Sequence, residues 1–338
     1  MLASSADVVI VGGGFAGLAT AWTLARRGVE RVVVLEREDR LGAHASGRGA
    51  GLGRQLAEDD DTTALTVRGA AVLRGELADA WTPTGGVLSF DDPAACEVYR
   101  ARAERFGVAT VPLAASDALA RWPALAGWRF AAALGIPSDG TIDIHRLRER
   151  FARGVDARLG ARVTAIEPGR VVTERETFAT RVVVEATGAW AGPLVGAAPL
   201  RAMRRHVFVV DAPAPGDAPW HWHLGAGELY VRRDPAGTLV SPCDSDHVPA
   251  QDVVPTGDAD ARLAARVAAI PALAAAPIAR RWAGLRTFTA DHRMRLGRDP
   301  ERPWLVWAVG LGGHGATASA AVGERVAAAV LDALASSH

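Results

Sequence analysis

The chain has 338 residues and a mass of 35.3 kDa, which is more than one hydrophobic core usually serves, so we expect two lobes. Its 38 basic residues, all of them arginine, balance 38 acidic residues, and a protein without a basic excess is not a general nucleic-acid binder. The sequence contains no lysine, which excludes Schiff-base chemistry and nucleotide sites that depend on a lysine.

The first predicted elements are a strand, a helix and a second strand. Residues 8–11 are a short run of β-branched residues that predicts a strand buried on both faces. The helix that follows is predicted to end at Gly28. Residues 31–35 form the second predicted strand, with Glu36 at its end. This order is typical of a βαβ unit.

A glycine motif connects the first strand to its helix. Gly12 is expected to make a tight turn, Gly14 to let the backbone approach a pyrophosphate, and Gly17 to let helix and strand pack closely. The helix N-terminus would face the phosphates with its free N–H groups. Glu36, 19 positions after Gly17, would accept hydrogen bonds from a ribose. The motif therefore predicts a dinucleotide site.

The middle of the chain is predicted to contain a loop and a capped helix. Three consecutive aspartates are expected in a solvated loop, namely Asp59, Asp60 and Asp61. Asp143 is expected to cap a helix that ends at Gly160. This helix would bury four residues at i, i+4 spacing, which are Leu147, Phe151, Val155 and Leu159.

The remaining elements follow towards the C-terminus. Strands are predicted over 162–166, 171–173, 181–188 and 304–309. Residues 211–219 are predicted to form a loop. The alanine-rich region 259–283 is predicted to be helical, with interruptions at Pro271 and Pro277. The apolar stretch 316–335 contains charged residues and therefore predicts a buried helix instead of a membrane span.

Five segments carry a resemblance to a known family, namely 34–37, 46–51, 185–190, 282–286 and 312–315. In this order they resemble the flavoprotein family of D-amino acid oxidase, glycine oxidase and sarcosine oxidase. Within that family the chain looks most like the D-arginine dehydrogenase type, through residues 35–38, 46–48, 204–205, 230 and 282–288. The resemblance covers nearly the full length. It implies an FAD cofactor and the oxidation of an amine next to a carboxylate.

The resemblance also implies the fold class and the domains. We expect an α/β fold in which a Rossmann-like FAD-binding domain is joined to an α+β substrate domain with an antiparallel sheet. The discontinuous FAD-binding domain is expected to contain residues 1–75, 140–200 and 285–338. The substrate-binding domain is expected to contain residues 76–139 and 201–284 and to lie over the flavin.

The predicted FAD-binding residues come from the glycine motif and from the segments that carry the resemblance. Residues 45–51 are small and glycine-rich, which suits close contact with a flat flavin ring. Residues 312–315 lead into a helix whose N-terminus would stabilise negative charge on the flavin. The full predicted set is Gly12, Gly14, Phe15, Ala16, Gly17, Glu36, Arg37, Ala45, Ser46, Arg48, Gly49, Ala50, Gly51, Val163, Thr187, Gly188, Trp190, Gly312, Gly313, His314 and Gly315.

Three residues are implied to act on the substrate. Arg286 matches the carboxylate-binding arginine of the family, and the forked guanidinium suits this task. Arg205 matches a second substrate-contacting arginine, whereas Arg204 would point to the opposite face of a strand. Tyr230 matches a tyrosine that covers the substrate.

The chain departs from the D-arginine type at positions that bear on substrate charge. Gly85 or Gly86 aligns with an acidic residue of that type, and Leu52 and Ala57 align with a histidine and a tyrosine. A cationic substrate side chain would lose its counter-charge, so we expect a neutral substrate. Arg54 and Gln55, which lie near Leu52 and Ala57 in the sequence, and the acidic residue Asp244 have no assigned role.

These observations predict an FAD-dependent oxidoreductase. It would convert a small neutral D-amino acid to the imino acid by hydride transfer to flavin N5. Glycine, sarcosine, a cyclic imino acid and a 2-hydroxy acid are alternative substrates. A flavin-binding protein without turnover and a nicotinamide-binding protein are the alternatives from other classes. The electron acceptor, oxygen or a quinone, and the oligomeric state stay open.

Several features bear on location, metal and cofactor attachment. Cys96 and Cys243 are expected to be free thiols in a reducing cytoplasm, and neither a signal peptide nor a transmembrane segment is predicted. His221 and His223 would share one face of a strand, but no carboxylate or cysteine cluster accompanies them, so no metal site is predicted. FAD is expected to be non-covalent, with His44 as the alternative tether.

Overall fold

The computed structural model describes residues 4–197 and 199–336. The strands are β1 (Ser4–Val11), β2 (Val32–Leu35), β3 (Leu52–Gly53), β4 (Trp81–Thr82), β5 (Gly86–Phe90), β6 (Val111–Leu113), β7 (Ala132–Ile136), β8 (Gly140–Ile142), β9 (Asp156–Arg158), β10 (Val163–Glu167), β11 (Arg170–Thr173), β12 (Thr177–Glu185), β13 (Arg201–Val210), β14 (Trp220–Leu224), β15 (Leu229–Asp234), β16 (Gly237–Ser241), β17 (Asp246–His247), β18 (Ile278–Phe288), β19 (Arg295–Arg298) and β20 (Leu305–Val309). The helices are α1 (Phe15–Arg26), α2 (Asp60–Arg74), α3 (Pro93–Arg105), α4 (Ala115–Ala120), α5 (Ile144–Ala152), α6 (Ala259–Val267), α7 (Pro271–Ala274) and α8 (Gly315–Ala335).

The first of two large sheets has eight strands in the order β10-β11-β12-β1-β2-β9, with β20 beside β12 and β19 beside β20. Its strands β9, β2, β1, β12 and β20 run parallel to one another. Helix α1 connects β1 to β2, as in a dinucleotide-binding βαβ unit. The sequence-based prediction of this unit is confirmed.

The second large sheet has nine strands in the order β17-β13-β16-β15-β14-β5-β7-β6, with β18 beside β13. Its pairs are antiparallel, apart from the parallel pair of β14 and β5. Strands β3, β8 and β4 form a small third sheet. The expected α/β fold, a Rossmann-like sheet combined with a mainly antiparallel one, is confirmed.

The first sheet is buried on both faces because its parallel strands consist largely of β-branched residues. Val8 and Ile10 pack towards α1 and α8, whereas Val9 and its neighbours pack on the opposite face with Trp307. Each fully buried side chain of this kind contributes about 1.5–3 kcal/mol to stability. The two covered faces leave only the strand ends, and the loops after them, free to form a site.

Asp143 caps α5 as predicted, but the helix is shorter than predicted. The Asp143 carboxylate accepts hydrogen bonds from His145 N and Arg146 N at 3.0 and 2.9 Å. The helix ends at Ala152 instead of continuing to Gly160. Residues 156–158 form β9, which pairs with β2. The prediction extended an i, i+4 pattern through residues that the sheet recruits, and long-range pairing outweighs that local pattern.

The prediction that 259–283 is helical is correct only for its first part. Helices α6 and α7 occupy Ala259–Val267 and Pro271–Ala274, but Ile278–Phe288 is strand β18. This strand pairs with β13 over its whole length. Alanine has the highest intrinsic helix propensity, but such propensities are small, and pairing with a strand that is distant in sequence can override them.

The predicted solvated loop at the three aspartates is wrong. Asp59 caps α2 and accepts a hydrogen bond from Thr62 N at 2.9 Å, and the helix begins at Asp60. Asp60 pairs with Arg102 and Arg105 of α3. Acidic residues are favourable at this end of a helix because they complement its dipole.

No helix in the described ranges, 4–197 and 199–336, is long and apolar enough to cross a lipid bilayer. The helix predicted over 316–335 is confirmed as α8, which packs against α1 and α2. The strands predicted over 162–166, 171–173, 181–188 and 304–309 are confirmed as β10, β11, β12 and β20, with shifts at their ends.

Candidate active site

A cavity of about 530 Å³ lies between the two large sheets. One wall consists of the loops that follow β1, β2, β12 and β20, which are the carboxyl ends of parallel strands. The other wall consists of side chains from β13, β14, β15 and β18 of the second sheet. In open parallel sheets, ligands bind at these strand ends, and the volume lies in the range of cofactor sites.

The predicted cofactor-binding residues line this cavity, apart from Gly17. A Cβ atom on Gly17 would lie 2.0 Å from the backbone oxygen of Gly12. Gly17 is therefore needed for the close packing of helix and strand, as the motif predicts. Gly12 has φ of +113°, and a Cβ atom there would lie 2.4 Å from Ala186 O. These two glycines build the turn itself.

The carboxylate of Glu36 is held in place at the end of β2. One oxygen accepts a hydrogen bond from Gly13 N at 2.9 Å, and the other accepts one from Glu38 N at 3.0 Å. An ionised carboxylate offers about four acceptor positions. Glu36 faces the cavity, so the remaining positions are available to ligand hydroxyl groups.

Two helix N-termini open onto the cavity. Phe15 and Ala16 begin α1, and Gly315 begins α8. Ser46 Oγ accepts a hydrogen bond from Phe15 N at 2.9 Å, which fixes the 45–51 segment against the glycine turn. Free N–H groups and the helix dipole favour negative charge at both places. The donor set therefore fits a dinucleotide with phosphates near one end and an acceptor ring near the other.

A polar cluster surrounds His44 at the cavity. His44 Nε2 lies 2.8 Å from Glu38, and its ring centre lies 4.6 Å from that of Trp190. The pKa of Glu38 is lowered, mainly by its hydrogen bond with His44. Arg48 donates to Asp252 at 2.5 Å, which ties the 45–51 segment to a loop beside the second sheet.

The opposite end of the cavity contains the predicted substrate residues. The side chain of Arg286, on β18, makes no hydrogen bond or ion pair with any residue in the described ranges, and its guanidinium carbon lies 5.6 Å from the centre of the Trp222 ring. Burial, and then the nearby charge of Arg205, lower the pKa of Arg286 to about 10. A partly buried cation without an ion-pair partner favours an anionic ligand.

Arg205 and Tyr230 lie next to Arg286. Arg205 is 7% exposed, and among the described residues its guanidinium donates to two backbone oxygens, those of Cys243 and Asp244. Tyr230 is buried, and burial raises the pKa of its hydroxyl, so it stays a neutral phenol. The structure thus brings all three predicted substrate residues together. Arg204 points the other way, as predicted, and the structure pairs it with Asp246.

Two further residues of this end were not assigned from the sequence. Trp222 lies directly across from Tyr230 in the β14–β15 pair. The alternation of strand residues could have predicted that Trp222 faces the cavity, because its neighbours His221 and His223 share the opposite face of the strand, beside Ser89. Arg54 lines the cavity, is fully buried and lies with its guanidinium carbon 4.4 Å from the Trp222 ring centre.

Gly85 or Gly86 aligns with an acidic residue of the D-arginine type. Neither glycine is among the residues that line the cavity. A Cβ atom on Gly86 would lie 2.2 Å from the Trp220 ring, so packing accounts for this glycine. Gln55 also lies outside the lining and donates to Ser138 and Asp139. The residues that do line the cavity therefore determine the charge at its substrate end.

Comparison with known proteins identifies the class of this chain. Residues 7–329 match the family described as DAO, FAD dependent oxidoreductase. The chain belongs to this family and is an FAD-dependent oxidoreductase.

The similar proteins have related descriptions. The chain is 26% identical to the mitochondrial sarcosine dehydrogenases of Homo sapiens and Mus musculus over 369 aligned positions, which cover 96% of this chain and 40% of each dehydrogenase. The crystal structure of L-proline dehydrogenase from P. horikoshii is similar, with a TM-score of 0.86 and 25% identity over 96% of this chain and 93% of that one. Glycine oxidase from Geobacillus kaustophilus gives a TM-score of 0.82 and 25% identity over 97% and 95%.

Proposed function

We propose that this chain oxidises the C–N bond of a small D-amino acid without a cationic side chain, giving the imino acid. The observation that supports this most directly is Arg286, a partly buried cation that faces the cavity and has no ion-pair partner among residues 4–197 and 199–336. A substrate carboxylate would supply the missing counter-charge. Such a pair also fixes the direction of the substrate, because a guanidinium binds a carboxylate through two parallel hydrogen bonds.

The proposed roles of the other residues follow from their positions. Arg205 would share the carboxylate with Arg286, and Tyr230 would cover the substrate against the second sheet. When bound, FAD supplies the acceptor for the hydride that leaves the substrate Cα. If the amine enters neutral, no protein group has to take up a proton, and catalysis consists mainly of orientation and electrostatic stabilisation.

The proposed roles of the cofactor-binding residues follow from the glycine motif and from the two helix N-termini. Glu36 would bind the ribose, the N-terminus of α1 would bind the pyrophosphate, and the N-terminus of α8 would face the flavin ring. We also keep the proposed division into an FAD-binding domain of residues 1–75, 140–200 and 285–338 and a substrate-binding domain formed by the rest.

The charges around the substrate end support a substrate that is not cationic. Three arginines line this end; Arg54 pairs with Glu58 at 2.9 Å, whereas Arg205 and Arg286 have no ion-pair partner among the described residues. Among the residues that line the cavity, Glu36 is the acidic one, and it lies at the dinucleotide end. A lysine- or arginine-like side chain would meet like charge in a desolvated space, which costs several kcal/mol. A neutral side chain avoids this cost. The resemblance to the D-arginine dehydrogenase type would instead favour a substrate with a cationic side chain.

Secondary amines are the second candidate substrates. The relatives are described as acting on sarcosine, L-proline and glycine, and the carboxylate clamp would serve these compounds equally well. The test is anaerobic bleaching of the FAD-loaded protein near ~450 nm, where oxidised flavin absorbs. The panel contains D- and L-alanine, D- and L-proline, glycine, sarcosine, lactate, D-lysine and D-arginine.

We expect D-alanine or D-proline to exceed D-arginine and D-lysine by at least about tenfold in kcat/KM. Faster bleaching by sarcosine or L-proline would assign the second candidate. Bleaching by D-arginine above all others would contradict the charge argument. Readmission of air then shows whether oxygen or another compound, such as a quinone, is the electron acceptor.

A further inference from the structure

A sharp turn after β16 holds one edge of the Arg205 guanidinium. Cys243 has φ of +54°, a left-handed conformation that non-glycine residues rarely adopt. In this conformation its backbone oxygen accepts a hydrogen bond from Arg205 Nη2 at 2.9 Å, and the backbone oxygen of Asp244 accepts one from Arg205 Nε at 3.1 Å. The turn thus fills the side edge of the guanidinium with two neutral acceptors.

The same turn is anchored from behind by His206, the next residue of β13. Asp244 accepts a hydrogen bond from His206 N at 3.0 Å, and its second oxygen lies 2.5 Å from His206 Nδ1. Thr256 N donates to His206 Nε2 at 3.1 Å. Because Nε2 accepts a hydrogen bond, Nδ1 carries the proton and donates it to Asp244.

This anchor is shielded from water. His206 is completely buried, and the side chain of Asp244 is 9% exposed. Burial alone would raise the pKa of Asp244, but its hydrogen bonds with His206 hold the pKa below its ordinary value. Ser241 Oγ donates to His206 O at 2.7 Å and accepts from Cys243 N at 3.2 Å, so both sides of the turn are fixed.

The fixed turn leaves one face of Arg205 free. A guanidinium has five N–H donors in a rigid fork, and the turn uses those on the Nε–Nη2 edge. Arg205 Nη1 is buried and has no hydrogen-bond partner among the described residues. Arg205 lines the cavity, whereas His206 does not. The end face of the fork, formed by Nη1 and Nη2, is therefore the face left for a ligand.

We propose that His206 and Asp244 are positioning residues, which fix the Cys243–Asp244 turn and thereby aim the end face of Arg205 at the substrate carboxylate. This inference rests on the proposed function, because it assumes that Arg205 binds the carboxylate. His206 acts only through Arg205, since neighbouring residues of a strand point to opposite faces of the sheet.

A double-mutant cycle tests this dependence. The variants are Arg205→Met, His206→Gln and the double variant, and the measurement is the Kd of benzoate for the FAD-loaded protein, read from the change in the flavin absorption spectrum. We expect each single variant to bind benzoate about tenfold more weakly. The double variant is expected to bind no more weakly than Arg205→Met alone, because His206 has no role once Arg205 is gone.

Two further variants separate positioning from general loosening. His221→Gln removes another fully buried histidine, from β14 of the same sheet, and this histidine does not line the cavity. It should leave the benzoate Kd unchanged within about twofold even where Tm falls. Asp244→Asn keeps the shape of the anchor and should weaken benzoate less than His206→Gln. In turnover, His206→Gln should raise KM more than it lowers kcat.

The possible results are distinct. A loss from His206→Gln that is equally large in the Arg205→Met background would show general loosening and overturn the inference. Weaker binding in Arg205→Met together with unchanged binding in His206→Gln would also overturn it, while the proposed function stands. If Arg205→Met binds benzoate like the wild type, the proposed role of Arg205 is wrong and the inference falls with it.

Discussion

Replacing Arg286 by methionine should separate function from stability. The side chain of Arg286 is partly buried and has no ion-pair partner in the described ranges, so the folded protein carries part of the cost of a desolvated charge until a carboxylate binds. Methionine fills a similar volume without that charge. The variant is therefore expected to fold at least as well as the wild type and to lose most of its activity.

Two free energies set the expected changes in the stability and the activity of the Arg286→Met variant. The pKa of Arg286 falls from 12.5 to about 10, and this difference corresponds to about 3 kcal/mol by which the charged form is disfavoured. The stability of the variant should therefore rise by anything up to about 3 kcal/mol. Removing one partner of a desolvated charge pair costs about 2–5 kcal/mol of binding, so kcat/KM should fall by roughly 30- to several-thousand-fold.

The assay combines anaerobic flavin reduction with denaturant unfolding of the FAD-loaded proteins. Arg204→Met is the matched control, since Arg204 lies next to Arg205 but points away and pairs with Asp246. It should keep kcat/KM within about twofold and gain no stability. A loss below about fivefold in Arg286→Met would remove Arg286 from the site, and a clear loss of stability would show that its charge serves the fold.

Three further predictions concern the cofactor and pH. Glu36→Ala should weaken FAD binding roughly 10- to 150-fold, as expected for loss of a charged hydrogen bond, and an unchanged FAD Kd would show that Glu36 is not the ribose ligand. Acid denaturation should release FAD into the supernatant, because His44 is engaged with Glu38, whereas flavin in the pellet would show a covalent link. The pKa of His221 is lowered from 6.5 to about 3 by burial, so its protonation opposes folding: stability is full above pH 6.5 and falls below it, by about 2 kcal/mol at pH 5. Asp139 and Glu185 have pKa values raised to about 7, so their ionisation lowers stability as the pH rises. This contribution is the same in wild type and His221→Gln and therefore cancels when the stabilities of the two proteins are compared at each pH. Equal pH profiles of stability in the two proteins would contradict the lowered pKa of His221.

The features predicted correctly from the sequence are those that short segments determine. The βαβ unit is recognisable because a buried strand, a glycine turn, a helix and a terminal acid follow one another directly. Asp143 is recognisable as a helix cap because a cap depends on local contacts, here with the backbone amides two and three residues later. Trp222 was not assigned, although strand alternation gives a signal for it, since Trp222 and Tyr230 lie opposite each other in the β14–β15 pair and face the same side of the sheet.

The features that were missed depend on contacts between distant segments. Strand β18 has an alanine- and arginine-rich start and becomes a strand only because β13 pairs with it. Residues 156–158 extend the first sheet for the same reason. The orientation of Arg205 depends on a turn nearly forty residues away and on the buried His206. No periodicity or local motif in the sequence records such a contact.

The most direct test of the central claim is a single-turnover comparison of D-alanine with D-alanine deuterated at Cα, at saturating concentration and without oxygen. We propose that Arg286 and Arg205 orient the substrate so that its Cα–H bond breaks during flavin reduction. The deuterated substrate should then bleach the flavin more slowly, and Arg286→Met should abolish most bleaching by either form. Equal rates with the two forms, or rapid bleaching in Arg286→Met, would contradict it.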